Sequence, residues 1–415
     1  MKEARPITDP SGSPERDGVA RWLLCEARDL PDSRAVIAEL CRRLTASGFP
    51  LYRLFVTART LHPQVAAIGY QWRRGDAEAS ETRREHGIEQ TEIYLSSPIK
   101  LIHDGVPEVR WRLSDRANAL DFPILTELRA DGVSDYLVLP LRFGGGRVNA
   151  ISIATDRAGG FSDAEVGRWR ALVPLLSLVL EVKETKRIGK TLLEIYLGRD
   201  AGHRVLGGLV QRGDGITLAA ALWYCDLRGF TATALTLPAD AVIRLLNDYF
   251  ECMAGPVHRH GGEVLKFVGD AMLAIFPIAD DLDRDRACLT ALAAAEEALA
   301  DLERLNADRC QAGKAILQAG IALHTGPVMY GNIGAPDRLD FTVIGPSVNL
   351  VTHLERLCGE LGRSLLASAR FASPCGSKLV PIGRFRLRGS DDEQEVFALP
   401  PAATEQPATL ERAAS

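Results

Sequence analysis

Apolar and polar positions recur along this 415-residue chain with two different periods, and the switch between them marks out elements. Ala35, Ile37, Leu40 and Leu44 fall at helical spacing and predict a helix over 33–47. The runs "LYRLFVTART", "VAAIGYQWR", "VRWRL" and "DYLVLPLRF" predict strands, and "GGGR" at 144–147 predicts a hairpin turn into the strand "VNAISIATD". Residues 75–90 are a polar stretch with no clear period. From Ser162 the period becomes helical again. Val166, Trp169, Leu172, Val173, Leu176, Val179 and Leu180 step mostly by three and four, after an S-x-x-E capping box at Ser162 and Glu165. Pro174 inside this pattern predicts a kink. The stripe suits a helix packed on its own domain and equally a parallel dimer helix joining two domains. The stretch "YLGRDAGHRVLGGLVQRGDG" reads as a linker with glycine breaks.

The texture changes near Ile216. "ITLAAALWYCDLRGFT" predicts a strand, 239–260 a helix, "GGEVLKFVGDAMLAIFP" a hairpin turning at Gly269-Asp270, and 282–306 an Ala/Leu-rich helix. "ILQAGIALHTGPVMYGNIG" predicts a strand, with turn glycines in "GNIG". "LDFTVIGPSVNLVTHLERL" predicts a strand, a Gly-Pro turn and a helix; "RFRLRGSDDEQEVFAL" predicts a closing hairpin. The fold class expected is α+β. It comprises an N-terminal α/β domain over 19–160, a connecting helix and linker over 161–215, and a C-terminal antiparallel sheet flanked by helices over 216–400. Residues 1–18 and 401–415 read as polar tails. In its element order the N-terminal region resembles the sensor fold of GAF and PAS modules, which implies a pocket for an unidentified small ligand.

Composition narrows the partners. The formal net charge of −5 argues against a general nucleic-acid or membrane surface, and Trp72-Arg73-Arg74 reads as a solvated strand end. Eight cysteines without a CxxC pair predict reduced thiols in a cytoplasmic protein, and no zinc site. The N-terminus lacks an apolar signal region, and the run Ala171–Leu180 falls short of the roughly 20 residues a membrane span needs. His258, His260 and His324 lack metal-ligand spacing and read as structural.

The candidate chemistry lies in the second half. Asp226 ends an apolar strand, and Asp270 sits in a tight turn 44 positions later (270 − 226). Two such carboxylates on adjacent antiparallel strands can hold divalent cations, which take one or two carboxylates together with phosphate oxygens. Lys266 is a lone charge in an apolar run, a donor-only group.

The segments "CDLRGFT", "GGEVLKFVGDAMLAIFP", "GIALHTGPVMYGNIG" and "DFTVIGPSVNL" occur in order, and together they resemble the catalytic domain of the class III nucleotide cyclases. The resemblance implies that Asp226 and Asp270 bind two Mg²⁺ or Mn²⁺ ions per active site. It implies that Lys266 and Thr342 read the adenine edge of ATP and that Asn349 orients the ribose. The transition-state arginine of the family falls at His353, a departure for which Arg356, about one turn on, offers partial substitution. Arg388 matches a triphosphate contact, and Leu227, Arg228, Gly229, Phe230 and Thr231 form a candidate phosphate cradle. The resemblance further implies a homodimer with shared active sites, the metal carboxylates coming from one protomer and Lys266, Thr342 and Asn349 from the other. Adenylate cyclase activity is the expected function. The alternatives are a guanylate cyclase, or a nucleotide-binding regulatory protein weakened by His353.

Overall fold

The computed structural model describes residues 17–115, 121–387 and 393–401. The chain is α+β and divides into two units, with the division between Leu192 and Leu193. Among the described residues no helix is long and apolar enough to cross a membrane.

The first unit is built on six strands: β1 Arg53–Arg59, β2 Val65–Arg73, β3 Ser80–Glu85, β4 Val109–Arg112, β5 Asp135–Arg142 and β6 Val148–Thr155. Their order is β3-β2-β1-β6-β5-β4, and every pair is antiparallel. All five predicted strands of this unit and the helix Ser33–Ala46 lie where the apolar period puts them. β3 falls in the polar stretch that carried no period. All six of its residues are exposed, so it is an edge strand with no apolar face to reveal it. Trp72 is a correction: it is buried, and its indole N–H donates to the carbonyl of Asp76 at 2.9 Å, so it belongs to the core and not to a solvated end.

The helix Asp163–Leu197 opens on a reciprocal cap. Ser162 N–H and Oγ–H donate to Glu165 Oε2 at 2.8 and 2.9 Å, and Glu165 N–H donates back to Ser162 Oγ at 3.3 Å. The helix continues through Pro174. Val166, Trp169, Leu172, Val173, Leu176 and Leu180 are buried in the core of the first unit. Further along, Glu184 accepts from Ser33 Oγ and Tyr70 Oη, each at 2.6 Å. The apolar stripe of this segment therefore packs on its own domain.

The second unit carries β7 Gly215–Leu227, β8 Glu263–Val268, β9 Ala271–Ile278, β10 Ala319–Ala335, β11 Arg338–Ile344, β12 Leu365–Ser368, β13 Val380–Arg386 and β14 Glu393–Ala398. The sheet runs β13-β14-β12-β10-β7-β9-β8, with β11 paired to the far part of β10. Only β10 and β12 pair in parallel. From Ala220 to Leu227 β7 is buried or half-buried on both faces, as a continuous apolar run should be, while its first five residues are largely exposed. Ala221, Trp223, Cys225 and Leu227 face a core that includes residues of the helices Ala239–Arg259 and Asp281–Gln311. Ala220 and Leu222 face a second core with Val351, Leu354 and Leu357 of the helix Pro346–Glu360.

Two expectations change here. The linker stretch contains a helix, Arg199–Leu206. Gly202, read as a break, is a packing glycine: a Cβ there would meet the backbone of Leu193 and Glu194 at 3.0 Å. "GNIG" lies within β10 and not in a turn, and a Cβ on Gly331 would sit 2.2 Å from the Asp214 carbonyl. His324 is a core residue bonded to Ser368 Oγ at 2.7 Å, and burial pushes its imidazole down to about 4.

Candidate active site

The strand register brings the two aspartates together. β7 and β9 are antiparallel, with Tyr224 opposite Leu273 and Cys225 opposite Met272. The next step sets Asp226, at the end of β7, beside the β8–β9 turn that carries Asp270. Gly269 makes that turn at φ +65°, a conformation that strains any residue with a Cβ. The Asp270 carboxyl stands next to that of Asp226. Burial first, then the Asp226 charge, pushes its carboxyl up to about 6. Leu227 N–H donates to Asp226 Oδ1 at 3.1 Å.

By the two-residue period, Asp226 shares a face of β7 with Leu222 and Tyr224, the face that packs against the helix Pro346–Glu360. From that helix Glu355 approaches, buried. Arg228 Nη2 lies 2.8 Å from Glu355 Oε1 as an ion contact and donates to the Glu355 carbonyl at 3.2 Å. Burial foremost, with help from the Asp226 charge, pushes Glu355 up to about 7 against the opposing pull of Arg228. Two glycines make room for Arg228. A Cβ on Gly320, which sits opposite Asp226 on β10, would meet Arg228 Nη2, and a Cβ on Gly359 would lie 2.8 Å from its Nη1.

This changes the expected phosphate cradle. The Arg228 guanidinium is held by Glu355, and its backbone N–H donates to the Gln318 carbonyl at 2.7 Å. Arg228 is thus an internal support and not a cradle residue. The amides left in position are those of Gly229, Phe230 and Thr231, where the short helix Phe230–Thr236 begins without a side-chain cap. Glu355 is the residue that sequence reading missed. Its signal was a charge at a core-facing position of the last predicted helix, next to Leu354 and Leu357.

A second group forms on β8 and β11. A bulge between Val264 and Lys266 re-aims Lys266, whose Nζ lies 3.5 Å from Asp340 Oδ2. Two positions along β11, on the same side, is Thr342. It is buried, and its Oγ1 has no hydrogen-bond partner among the described residues. Asp340 was also missed, although it stands in the quoted "LDFT" segment. Asn349, His353 and Arg356 occupy one face of the helix Pro346–Glu360, at spacings of four and three. Asn349 and Arg356 are exposed and His353 is half-buried. Arg388 lies outside the described residues. Among the described residues, no hydrogen bond or ion pair joins the acidic pair to Lys266, Thr342 or Asn349.

The acidic pair fits a divalent cation. Hard carboxylate oxygens are what Mg²⁺ and Mn²⁺ take, and a cation between Asp226 and Asp270 would offset the burial and the repulsion that together push Asp270 up to about 6. Two carboxylates leave the remaining coordination positions to phosphate oxygens and water.

Residues 217–399 match the family model of the adenylate and guanylate cyclase catalytic domain. Adenylate cyclase 1 of Rhizobium meliloti is 29% identical over 178 residues, 42% of this chain and 26% of that protein. Adenylate cyclase of Anabaena cylindrica is 33% identical over 161 residues, 38% of this chain and 31% of that protein. The chain thus spans about a quarter to a third of the length of these curated relatives. Among solved structures, that of the guanylyl cyclase Cya2 aligns at 28% identity over 45% of this chain and 93% of the other, with a TM-score of 0.39.

Proposed function

Over residues 217–399 the chain carries a class III nucleotide cyclase domain, and from that premise we propose that it is an adenylate cyclase, converting ATP to 3′,5′-cyclic AMP and pyrophosphate. The observation that carries this reading is the acidic pair: a strand end and a hairpin turn set two carboxyl groups side by side, and burial together with the Asp226 charge pushes Asp270 up to about 6.

In this reading Asp226 and Asp270 hold two Mg²⁺ or Mn²⁺ ions. When bound, these would ease ionisation of the ribose 3′-hydroxyl and neutralise the departing pyrophosphate. The 3′-oxygen bonds to the α-phosphorus as the bond to the pyrophosphate oxygen breaks, and the hydroxyl proton leaves to solvent. The amides of Gly229, Phe230 and Thr231 receive phosphate oxygens. Lys266 donates to adenine N1 and Thr342 Oγ1 accepts from the 6-amino group, a pattern that guanine, with N1–H and O6, does not offer. Asp340 keeps the lysine in place. Asn349 holds the ribose, and His353, Arg356 and Arg388 stabilise charge on the phosphates.

Among the described residues no hydrogen bond or ion pair joins the base-reading group to the acidic pair, and Leu235, Phe267 and Val268, near the acidic pair in sequence, are exposed. Both features support a homodimer in which each site takes its metal ligands from one protomer and its base-reading residues from the other. Residues 19–160 are, in the same reading, a GAF/PAS-like regulatory domain, joined through 161–215 to the catalytic domain 216–400. All eight cysteines are unpaired, which suits a cytoplasmic location.

The test is mass-spectrometric detection of product from purified protein with Mn²⁺ and either ATP or GTP. Cyclic AMP from ATP, abolished by Asp226→Asn, is expected. Nucleotide binding with no product would remove the reading, and cyclic GMP formed in preference would reassign the base. Lys266→Glu is expected to lower the preference for ATP over GTP at least tenfold. His353→Arg is expected to preserve or raise turnover. Deleting residues 1–160 is expected to change basal activity.

A further inference from the structure

The first unit contains a cavity of about 680 Å³, floored by β1, β2, β3, β5 and β6 and walled by the segments 88–103 and 123–127. That is within the range of roughly 300–1,000 Å³ typical of small-molecule sites. Much of its lining is apolar, with the Phe55 ring on the floor and Ile99 and Ile124 in the walls. Gly69 shapes the floor: a Cβ there would come within 2.9 Å of the Phe55 ring, so only glycine lets the ring lie over β2.

One polar feature stands out against that lining. Arg53, on the cavity floor, is 9% exposed, yet it has no carboxylate within ion-pair distance among the described residues. Its Nε and Nη2 donate to one neutral acceptor, Gln71 Oε1, at 3.2 and 2.6 Å. Glu92, also in the lining, is exposed, and the other nearby acids stand beside other arginines. Glu127 and Asp131 lie 3.5 and 3.7 Å from Arg73, and Glu89 lies 3.7 Å from Arg59. Burying a guanidinium without a counter-charge is costly, and folded chains keep such an arrangement where something else supplies the charge. Two further polar side chains line the same cavity. Tyr136 is buried there beside Ser152, and among the described residues His103 Nε2 is buried without a hydrogen-bond partner while Nδ1 pairs with Tyr94 Oη at 2.8 Å.

We propose that this cavity binds a small monocarboxylate with an apolar body, the carboxylate pairing with Arg53 beside Gln71 and the body lying on Phe55 between Ile99 and Ile124. A guanidinium fork matches a carboxylate in bidentate geometry. Of the three arginines lining the cavity, Arg53 is the buried one; Arg59 and Arg84 are exposed, and Glu89, Glu92 and Glu127 line the cavity with them, so a single negative charge placed at Arg53 suits the lining better than a dianion. The proposal deepens the ligand-binding part of the reading above, but it rests on the cavity alone and holds whether or not the second unit makes cyclic AMP.

The test is calorimetric titration of the full chain with phenylacetate, benzoate and isovalerate, each paired with its neutral amide, and with phenyl phosphate. At least one acid is expected to bind tenfold or more tightly than its amide. Arg53→Met is expected to abolish that binding while leaving the melting temperature of the ligand-free protein unchanged or higher, because it removes an unpaired buried charge. Arg53→Lys, which keeps the charge without the fork, is expected to weaken binding about tenfold and serves if the methionine variant does not fold. Binding of amides as tight as acids, preference for phenyl phosphate, no binding by any acid, or a folded Arg53→Met that melts lower and binds unchanged would each overturn the proposal.

Discussion

Asp135 in the first unit and the Asp226–Asp270 pair in the second are both carboxylates at the ends or turns of strands, and the structure treats them in opposite ways. Asp135 is fully buried and fully matched. Arg110 Nη2 lies 2.7 Å from its Oδ2, and the Phe161 N–H donates to the same oxygen at 2.9 Å. Gly160 leaves out the Cβ that would crowd it. Asp226 and Asp270, both half-buried, stand side by side, and among the described residues neither makes an ion pair. A buried charge that the fold satisfies belongs to the fold; one that the fold leaves uncompensated points to a ligand. Arg53 belongs with the second class.

The largest effects should separate these classes. Asp226→Asn or Asp270→Asn is expected to cut cyclase activity by about 100-fold or more, the scale of losing a principal stabiliser of transition-state charge. The melting temperature without metal should not fall. Asp135→Asn should do the reverse, costing about 3–5 kcal/mol in urea denaturation by stranding Arg110, with activity per folded molecule retained. An Asp135 variant that is stable but inactive would break the distinction.

Arg228 and Glu355 test it beside the site itself. Arg228→Met leaves Glu355 buried without its cation and should cost about 3 kcal/mol. Adding Glu355→Leu should recover most of that loss, since a buried pair replaced on both sides leaves nothing stranded. If the single and double variants are equally unstable in urea, Arg228 stabilises by packing between Gly320 and Gly359 and not by charge.

A smaller effect depends on pH. Asp270 is raised from 3.8 to about 6 and Glu355 from 4.5 to about 7, so the folded chain holds these protons more tightly than the unfolded chain. Their contribution to stability is complete below about pH 4 and is lost as pH rises through 6 to 7. The melting temperature of metal-free wild type, measured against Asp270→Asn, should therefore fall progressively from pH 4 to 7.5. Mn²⁺ should close that gap at the upper end. The smallest expected change is Ser162→Ala, about 1 kcal/mol, from loss of the capping box with no effect on the site.

Much of the molecule was legible in the chain. Periodicity located the helix Ser33–Ala46, most of the strands and the hairpin that presents Asp270, because each of these buries one apolar face or two. β3 was illegible because an exposed edge strand needs no apolar residues. The helix Arg199–Leu206 was hidden because its glycine, Gly202, read as a break, is there for close packing against the preceding helix. Asp226, Asp270, Lys266 and Thr342 could be named from their segments, while the support around them could not.

By itself, then, the sequence determined which elements form and which residue types stand ready for chemistry, since local propensity and burial period act over a few residues. Tertiary structure decided which charges meet. It turned Arg228 inward to Glu355 through the gap at Gly320, set Asp340 against Lys266, and left Arg53 on a cavity floor beside Gln71 with no carboxylate partner among the described residues. Those outcomes depend on strand register and on the space left by distant glycines, and a pairing between residues more than a hundred positions apart leaves no period along the chain from which it could be read.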